Sequence, residues 1–236
     1  MKLAIMQPYF LPYLGYWQLI AAVDKFVVYD DVNFIKNGWI NRNRILCNGN
    51  VSYLTIPLYQ ASPNKLIYQV EFSSQVDWRK KISKSLQAAY GRAPEYKNVS
   101  SLFEAILYYE YADISDFLVN QITVLCDFMK LNTRIQNTSK VYQNHHLRGQ
   151  ERVIDICRAE AADTYINPFG GRELYNSDEF SCAGIDLKFL SSIPTPYQQK
   201  ASEFVPGLSI VDILMNNKPE QVRDMLRNYQ LVPGGI

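Results

Sequence analysis

Residues 1–31 read MKLAIMQPYFLPYLGYWQLIAAVDKFVVYDD, and the hydrophobic pattern changes twice within this stretch. Leu3 to Met6 is a short apolar run that predicts a buried strand. Apolar residues then occupy nearly every face of Tyr13 to Val23, which predicts a helix, and Lys25 to Tyr29 predicts a second strand. A strand, a helix and a strand within about thirty residues predict a βαβ unit with parallel strands and a right-handed crossover.

The same alternation returns in the second half of the chain. The predicted elements are strands at 133–137, 164–166 and 185–190, and helices at 150–161, 209–216 and 219–228. Apolar strands that alternate with amphipathic helices are typical of a sheet covered on both faces. We therefore expect an α/β fold with a Rossmann-like, mostly parallel sheet.

The segment 33–130 interrupts this alternation. Trp39 to Leu46 and Val51 to Pro57 flank Asn48-Gly49, a pair that favours a type I′ turn, so we expect an antiparallel hairpin. A strand is predicted at 66–72, and helices are predicted at 77–90, 99–109 and 114–130. The chain of 236 residues suits one α/β domain, 1–236, with 33–130 inserted as a hairpin and a helical segment.

Composition limits the classes of function. Hydrophobic residues make up 47% of the chain, which is enough for a sizeable core and excludes disorder as the main state. The net charge is +1, with 24 basic and 23 acidic side chains, so the basic excess typical of nucleic-acid binders is missing. We expect a small-molecule substrate and no nucleic-acid partner. A small anion held by a few local groups remains open.

Cysteine and histidine usage predicts free thiols and no metal site. The cysteines are Cys47, Cys126, Cys157 and Cys182, which are widely spaced without a CxxC pair. The histidines are adjacent, at His145 and His146, and zinc ligands are not spaced in this way. The favoured interpretation of the histidine pair is a solvated loop, while a role as a base near neutral pH stays open.

The N-terminal residues predict the compartment. Met1 to Ile5 is followed at once by Gln7-Pro8, without the basic region and apolar run of a signal peptide. No stretch of about 18 apolar residues is present, so we expect no membrane span and a cytoplasmic protein. The sequence does not determine the oligomeric state.

Each predicted parallel strand ends in polar residues or glycine. These ends are Gln7-Pro8, Asp30-Asp31, Thr138-Ser139-Lys140, Asn167 with Gly170-Gly171, and Ser191-Ser192. In open α/β sheets, ligands bind outside the carboxyl ends of the strands, so we expect some of these clusters to form a site. The alternative is that they are ordinary polar loop residues.

Gly15, near the start of the first predicted helix, has two interpretations. It could let an anion approach the free N–H groups of the helix, or it could permit close packing of the helix on the sheet. The sequence alone does not distinguish these two interpretations.

A basic and amide-rich cluster lies at the start of the predicted hairpin. Its members are Lys36, Trp39, Asn41, Arg42, Asn43 and Arg44. Arg42 and Arg44 are two residues apart on a strand, so they share a face and could grip one phosphate or diphosphate. The alternative is an exposed face with solvated charges. We also expect Gln7, Asp30, Arg42 and Gly170 to line one cleft.

Two short motifs resemble those of nucleotide-handling enzymes. Tyr13-Leu14-Gly15-Tyr16 falls where nucleotidylyl transferases place HxGH, but tyrosine replaces both histidines. Residues 81–85 read KISKS, similar to the KMSKS loop of class I aminoacyl-tRNA synthetases, yet they lie inside a predicted helix. The glycine turn at 168–172 lacks GxGxxG and Walker patterns.

The combination of motifs is more specific than its parts. The chain contains QPYFLPYLGYWQLI at 7–20, VVYDDVNFIKNGWINRNRI at 27–45, NTSK at 137–140, GGRELY at 170–175, PTPYQQ at 194–199 and FVPGLSIVDILMNN at 204–217. Together these motifs resemble the WbqC-like family over essentially the whole chain. That family is bacterial and is associated with O-antigen and related surface-polysaccharide gene clusters.

The resemblance implies a function and a set of positions. It implies an acyl or aminoacyl transferase, with glycine among the suggested groups, that acts on an amino-sugar expected to be nucleotide-linked. The family's characteristic positions are Gln7, Asp30, Lys36, Trp39, Arg42, Arg44, Ser139, Gly170, Gly171, Tyr197, Gln198 and Asp212. Asp30 is our candidate base or amine-orienting carboxylate. The alternatives are a degenerate nucleotidylyl transferase and a non-catalytic binding or scaffolding protein, and the sequence does not determine the cofactor.

Overall fold

The computed structural model describes residues 1–234. The strands are β1 (Lys2–Met6), β2 (Lys25–Val28), β3 (Arg42–Cys47), β4 (Asn50–Thr55), β5 (Leu58–Tyr59), β6 (Glu71–Phe72), β7 (Arg134–Gln136), β8 (Thr164–Pro168), β9 (Asp186–Ser192) and β10 (Tyr229–Pro233). The helices are α1 (Leu14–Ala21), α2 (Trp78–Tyr90), α3 (Tyr96–Leu107), α4 (Ile114–Met129), α5 (Gly149–Ala159), α6 (Ser177–Cys182), α7 (Ile210–Asn216) and α8 (Pro219–Arg227).

The central sheet has six strands in the order β10-β9-β8-β1-β2-β7. The five strands from β9 to β7 are parallel to one another, and β10 is antiparallel to β9. The predicted βαβ unit is present, since β1 pairs with β2 from Leu3 opposite Lys25 to Met6 opposite Val28. The α/β fold with a mostly parallel, Rossmann-like sheet is therefore confirmed.

Strand alternation sends side chains into two separate cores. Leu3 and Ile5 of β1 point to the core under α5 and α6, whereas Ala4 points to the larger core under α1, α4 and α8. In β2, Val27 belongs to the smaller core, and Phe26 and Val28 belong to the larger one. Apolar residues on both faces of a strand explain why these strands are continuous hydrophobic runs rather than alternating ones.

The segment between β2 and β7 contains the predicted hairpin and helices. β3 pairs with β4 in an antiparallel register from Arg42 opposite Thr55 to Cys47 opposite Asn50. An aromatic cluster in this segment surrounds Phe117 of α4, whose ring centroid lies 5.3 Å from that of Phe72 and 6.3 Å from that of Phe10. Phe10 precedes α1, so this cluster joins the inserted segment to the sheet and supports the expectation of one domain.

The strand predicted at 66–72 is wrong for most of its length. Ile67–Gln69 forms a 3₁₀ turn, and strand structure is confined to β6, which pairs with β5. The Leu66 N–H donates to Gln69 Oε1 at 3.0 Å, and this local hydrogen bond stabilises a turn rather than pairing with a neighbouring strand. Ile67 and Val70 are both buried, and their spacing of three residues fits a turn rather than an alternating strand.

Three elements were not predicted from the sequence, namely the two-residue strand β5, helix α6 and strand β10. β10 covers the edge of β9, and its residues are mostly half-buried or exposed, so it lacks the apolar run that identified the other strands. α6 has six residues, fewer than two turns, which is too short for a periodic pattern. Among residues 1–234, no helix is both long and apolar enough to cross a bilayer.

Candidate functional site

A cavity of about 870 Å³ lies at the carboxyl ends of β1, β2 and β7. Its lining consists of Gln7, Tyr29, Asp31, Val32, Asn33, Ile35, Leu66, Tyr68, Lys140, Gln143, His145, Leu147, Arg148, Gly149 and Arg152. The chain passes from β1 to β2 on one side and later returns to β8 on the other side of β1. The cavity thus opens beside the topological switch point, where doubly wound sheets bind ligands.

The charged groups around the cavity are mainly basic. Lys140, Arg148 and Arg152 face a single carboxylate, that of Asp31. Helix α5 also begins at the cavity. Gly149 is its first helical residue, and the side chain of the N-cap residue, Arg148, forms no capping hydrogen bond. Free N–H groups at a helix start carry partial positive charge. The arrangement therefore favours an anionic ligand.

Arg152 belongs to the wall of the cavity and is committed to protein partners. Its guanidinium forms an ion pair with Asp31 at 2.5 Å, and the two side chains are 4% and 8% exposed. Its Nε donates to Asn144 Oδ1 at 2.9 Å, and its guanidinium carbon lies 4.9 Å from the Tyr29 ring centroid. Burial raises the pKa of Tyr29, while Arg152 partly opposes this shift. These contacts fix the wall before any ligand binds.

Lys140 and Arg148 are the basic groups free to meet a ligand. Both side chains belong to exposed residues, and within residues 1–234 neither forms an ion pair. Lys140 Nζ lies 4.2 Å from the centroid of the Tyr68 ring, a cation–π distance that holds the ammonium over the cavity. His145 is also exposed and lines the same cavity.

Asp30 lies buried behind the cavity and is 1% exposed. Its Oδ2 accepts from Ser115 Oγ at 2.7 Å, and its Oδ1 accepts from Thr138 Oγ1 at 2.8 Å and from the Ser139 N–H at 3.1 Å. Ser139 Oγ also donates to Asp31. Asp30 therefore joins β2 to α4 and to the segment after β7. Its catalytic role stays a prediction, and this placement supports a positioning role.

The loop between β1 and α1 is held by three buried polar side chains. Asn43 Nδ2 donates to the carbonyl oxygens of Phe10 and Leu11, and Ser209 Oγ donates to Leu11 O at 2.7 Å. Gln121 Oε1 accepts from the Leu11 N–H at 3.0 Å. These residues come from β3, α4 and the start of α7. The loop, which begins with the cavity residue Gln7, is therefore rigidly placed.

Gly15 is buried in α1, and its surroundings support the packing interpretation. A Cβ at this position would lie 2.8 Å from the Tyr13 ring and 3.6 Å from Ser192 Cβ of β9. Both neighbours are protein groups, and Gly15 does not line the cavity. A Cβ here would have to displace the Tyr13 ring, whereas its distance to Ser192 is an ordinary contact.

The two hairpin arginines lie outside the cavity lining. Arg42 donates through Nε to Gly38 O at 3.2 Å, and its guanidinium stacks 5.0 Å from the Tyr53 ring centroid. Arg44 donates to Gly207 O at 3.0 Å and lies 5.8 Å from the Trp39 ring centroid. Their role as a phosphate clamp stays a prediction. In this structure both guanidinium groups bind backbone carbonyls.

Of the four residues expected to line one cleft, Gln7 lines this cavity and Asp30 lies behind it. Arg42 and Gly170 are not among its lining residues, and the neighbouring Arg44 binds the segment before α7. The shared cleft stays a prediction. Lys36 is exposed and also lies outside the lining.

The glycine pair after β8 differs in its two members. Gly170 is exposed, with open space around it, whereas a Cβ at Gly171 would lie 2.1 Å from Asn167 Nδ2. Gly171 is therefore required by the close approach of Asn167.

Trp39, another predicted site residue, has a structural contact, because its carbonyl oxygen accepts from the Phe10 N–H at 2.9 Å.

Tyr197 and Asp212 belong to a second group, which is not part of the cavity lining. Asp212 is 1% exposed, and its carboxylate accepts from Tyr90 Oη at 2.9 Å and Tyr197 Oη at 2.7 Å. Burial raises the pKa of Asp212, although these hydrogen bonds partly lower it. Gln198 is exposed and lines a separate cavity of about 640 Å³ together with Tyr197.

Several cavity residues were not predicted as ligand-binding residues. Tyr68, Arg148 and Arg152 come from segments that the sequence did not connect, although Arg148-Gly149 before a predicted helix was a usable signal for an anion site. Within the described part of the chain, no group of three or more His, Cys, Asp or Glu side chains is placed to hold a metal ion.

Comparison with known proteins gives one family. The model of the WbqC-like protein family matches residues 7–224. The chain is also 27% identical over 219 residues to a protein of Mycobacterium tuberculosis (strain ATCC 25618 / H37Rv) described as uncharacterized protein Rv1507c, covering 91% of this chain and 93% of that one. No solved structure matches the chain significantly. Because the family match spans nearly the whole chain, the protein belongs to the WbqC-like family.

Proposed function

We propose that the protein is a transferase of surface-polysaccharide synthesis and that it binds a phosphate-bearing amino-sugar in the cavity at the carboxyl edge of the sheet. The observation that carries this proposal is the position of Lys140 and Arg148, which line the cavity with the start of α5 and form no ion pair among residues 1–234. Phosphates are bound in this way at helix starts in doubly wound folds.

The cavity has a suitable size and lining for such a ligand. Its volume of about 870 Å³ lies within the range of roughly 300–1,000 Å³ common for small-molecule sites. Apolar groups of Val32, Leu66 and Leu147 and the ring of Tyr68 lie beside the basic side chains. A nucleotide-linked sugar has the same combination, with a charged diphosphate between an apolar base and a polar sugar.

Acyl or aminoacyl transfer to an amine needs a proton acceptor. The sugar nitrogen forms a bond to the acyl carbon, the bond from that carbon to the donor's leaving group breaks, and the nitrogen releases a proton. Among the cavity residues, His145 is our candidate for this proton acceptor. Its side chain is exposed, and an imidazole can take up a proton near neutral pH. Asp30 remains the earlier candidate, but the carboxylate that lines the cavity is that of Asp31.

The structure offers little support for the rival nucleotidylyl transferase. Tyr16, which stands at the second HxGH histidine position, is 1% exposed and donates to Gln7 O at 3.0 Å. A residue so enclosed cannot meet a nucleotide phosphate. A non-catalytic binding protein would have the same cavity but would form no product.

Detection of a product therefore separates a transferase from a binding protein. Incubation of UDP-glucosamine with acetyl or glycyl donors, followed by mass spectrometry, tests for the acylated sugar.

Loss of Lys140 or Arg148 should weaken binding of UDP, the probe for the phosphate site. A charge-assisted hydrogen bond is worth about 1.5–3 kcal/mol, so Lys140→Ala and Arg148→Ala should each raise the Kd roughly ten- to a hundredfold. Isothermal titration calorimetry measures this change. Lys97→Ala is the matched control, because Lys97 is exposed on α3 and lies outside the cavity lining.

The same titration also tests the hairpin arginines. If Arg42 and Arg44 hold the phosphates, Arg42→Ala and Arg44→Ala should raise the Kd of UDP roughly ten- to a hundredfold, and Arg42→Lys should fail to restore binding. Unchanged affinity in the Lys140 and Arg148 variants, with weakened affinity in the hairpin variants, would move the phosphate site to the hairpin and contradict our assignment of the cavity.

A further inference from the structure

A second cavity, of about 640 Å³, lies between the segment after β9 and helices α7 and α8. It shares no lining residue with the first cavity. Most of its polar lining consists of side-chain amides. The side chains that carry the argument are Tyr197, Gln198, Asn216, Asn217 and Asn228.

Three asparagines that line the cavity have their amide nitrogens bound to protein groups. Asn216 Nδ2 donates to Asp212 O at 2.8 Å, and Asn217 Nδ2 donates to Ile213 O at 2.9 Å. Asn228 Nδ2 donates to Thr195 Oγ1 at 2.8 Å. Over the described residues, none of the three Oδ1 atoms accepts a hydrogen bond from a protein group. These three oxygens, which have no protein donor within residues 1–234, are the acceptors on which the inference rests.

The position of these acceptors is supported from inside the protein. Asn217 is 4% exposed, so its side chain is almost entirely enclosed by protein. Behind Asn228, the fully buried Gln18 donates through Nε2 to Met225 O at 2.7 Å and to Asn228 O at 3.0 Å. These bonds fix the turn from α8 into β10. The acceptor geometry is therefore set before a ligand arrives.

The rest of the lining fits a neutral, hydroxylated ligand. Gln198 is exposed and has no hydrogen-bond partner among residues 1–234, so both of its polar groups can bind a ligand. The charged lining residues, Asp224 and Arg227, balance each other. The Tyr197 ring is held by the bond from its hydroxyl to Asp212 at 2.7 Å. Tyrosine offers an apolar face that suits the C–H face of a sugar.

We propose that this second cavity is a binding site for a neutral carbohydrate. A sugar hydroxyl donates one hydrogen bond and accepts others, so it can donate to the asparagine oxygens and accept from Gln198. An anion would meet three amide oxygens, which repel negative charge. The inference is independent of the proposed function, because it assigns a different cavity and requires no reaction.

The test uses the whole protein and N-acetyl-D-glucosamine as the probe, with triglycine as a neutral peptide probe. Saturation-transfer NMR measures binding. Gln198→Ala and Asn216→Ala should each raise the Kd for the sugar roughly two- to tenfold, and the double variant should remove the signal. Gln230→Ala is the matched control, since Gln230 is an exposed amide on the neighbouring β10 outside the cavity.

The affinity for UDP separates this inference from the proposed function. The Gln198 and Asn216 variants should keep the parent's affinity for UDP, which also shows that they are folded. The inference fails if the parent does not bind the sugar, or if the double variant binds it as tightly as the parent does. Binding of triglycine with the same sensitivity to both substitutions would make the cavity a peptide site and would overturn the carbohydrate assignment.

Discussion

Arg152→Ala should lower the free energy of unfolding by about 3–5 kcal/mol. Removal of one partner of a buried ion pair leaves the other charge without compensation, and such changes are strongly destabilising. Here the charge that loses its ion-pair partner is the Asp31 carboxylate, whose side chain is 8% exposed. Asn144 would also lose the hydrogen bond that its Oδ1 accepts from Arg152 at 2.9 Å. Denaturation by urea, monitored by circular dichroism, measures the change.

The control for this prediction is an ion pair at the surface. Arg223 contacts Glu220 at 3.2 Å, with side chains 37% and 70% exposed. Water screens such pairs, so Arg223→Ala should change the free energy of unfolding by less than about 1 kcal/mol. Equal effects of the two substitutions would show that the pair behind the cavity is not structurally important, and that its wall is not fixed in the way we describe.

Asp30→Ala should lower the free energy of unfolding by about 3 kcal/mol. The substitution leaves the buried donors of Ser115 and Ser139 and the half-buried hydroxyl of Thr138 without this acceptor, and each unsatisfied buried group costs about 1–3 kcal/mol. Water that enters the space would recover part of this cost. The measurement is again urea denaturation of the parent and the variant under the same conditions.

This prediction distinguishes positioning from catalysis at Asp30. A carboxylate that serves only as a base can be removed without loss of stability, whereas a carboxylate that joins β2, α4 and the segment after β7 cannot. Asp127→Ala is the matched control, because Asp127 is an exposed aspartate of α4, and its removal should change stability by less than about 0.5 kcal/mol. An Asp30→Ala variant as stable as this control would contradict the positioning role.

The sequence predicted the sheet well because its strands are buried on both faces. The apolar runs at Leu3 to Met6 and Lys25 to Tyr29 have no other stable location than the centre of a covered sheet, and the helix between them makes the two strands parallel. The edge strand β10 has no such run, since solvent reaches much of it. The inserted turn at Ile67–Gln69 was mistaken for a strand because three-residue and two-residue spacings are hard to distinguish over a few residues.

The sequence pattern indicated where to look for a cavity, but not which residues line it. The rule for open α/β sheets points to the carboxyl ends of the strands, and a cavity lies at the ends of β1, β2 and β7. Which of two adjacent carboxylates faces the cavity depends on how the chain leaves β2, and a linear pattern does not record this. Asp31 faces the cavity and Asp30 faces inward. Arg148 and Tyr68 meet there through tertiary contacts alone.

The held loop between β1 and α1 has a consequence for the order of folding. Its hydrogen bonds join Leu11 to Gln121, 110 residues away, and to Ser209, 198 residues away. Contacts between such distant positions close large loops and form late, because chain entropy opposes them until other structure exists. During synthesis, β1 and α1 are made before the segment near Ser209, so this loop cannot be fixed until that segment has also been synthesised. The loop therefore waits for a partner made 198 residues after Leu11.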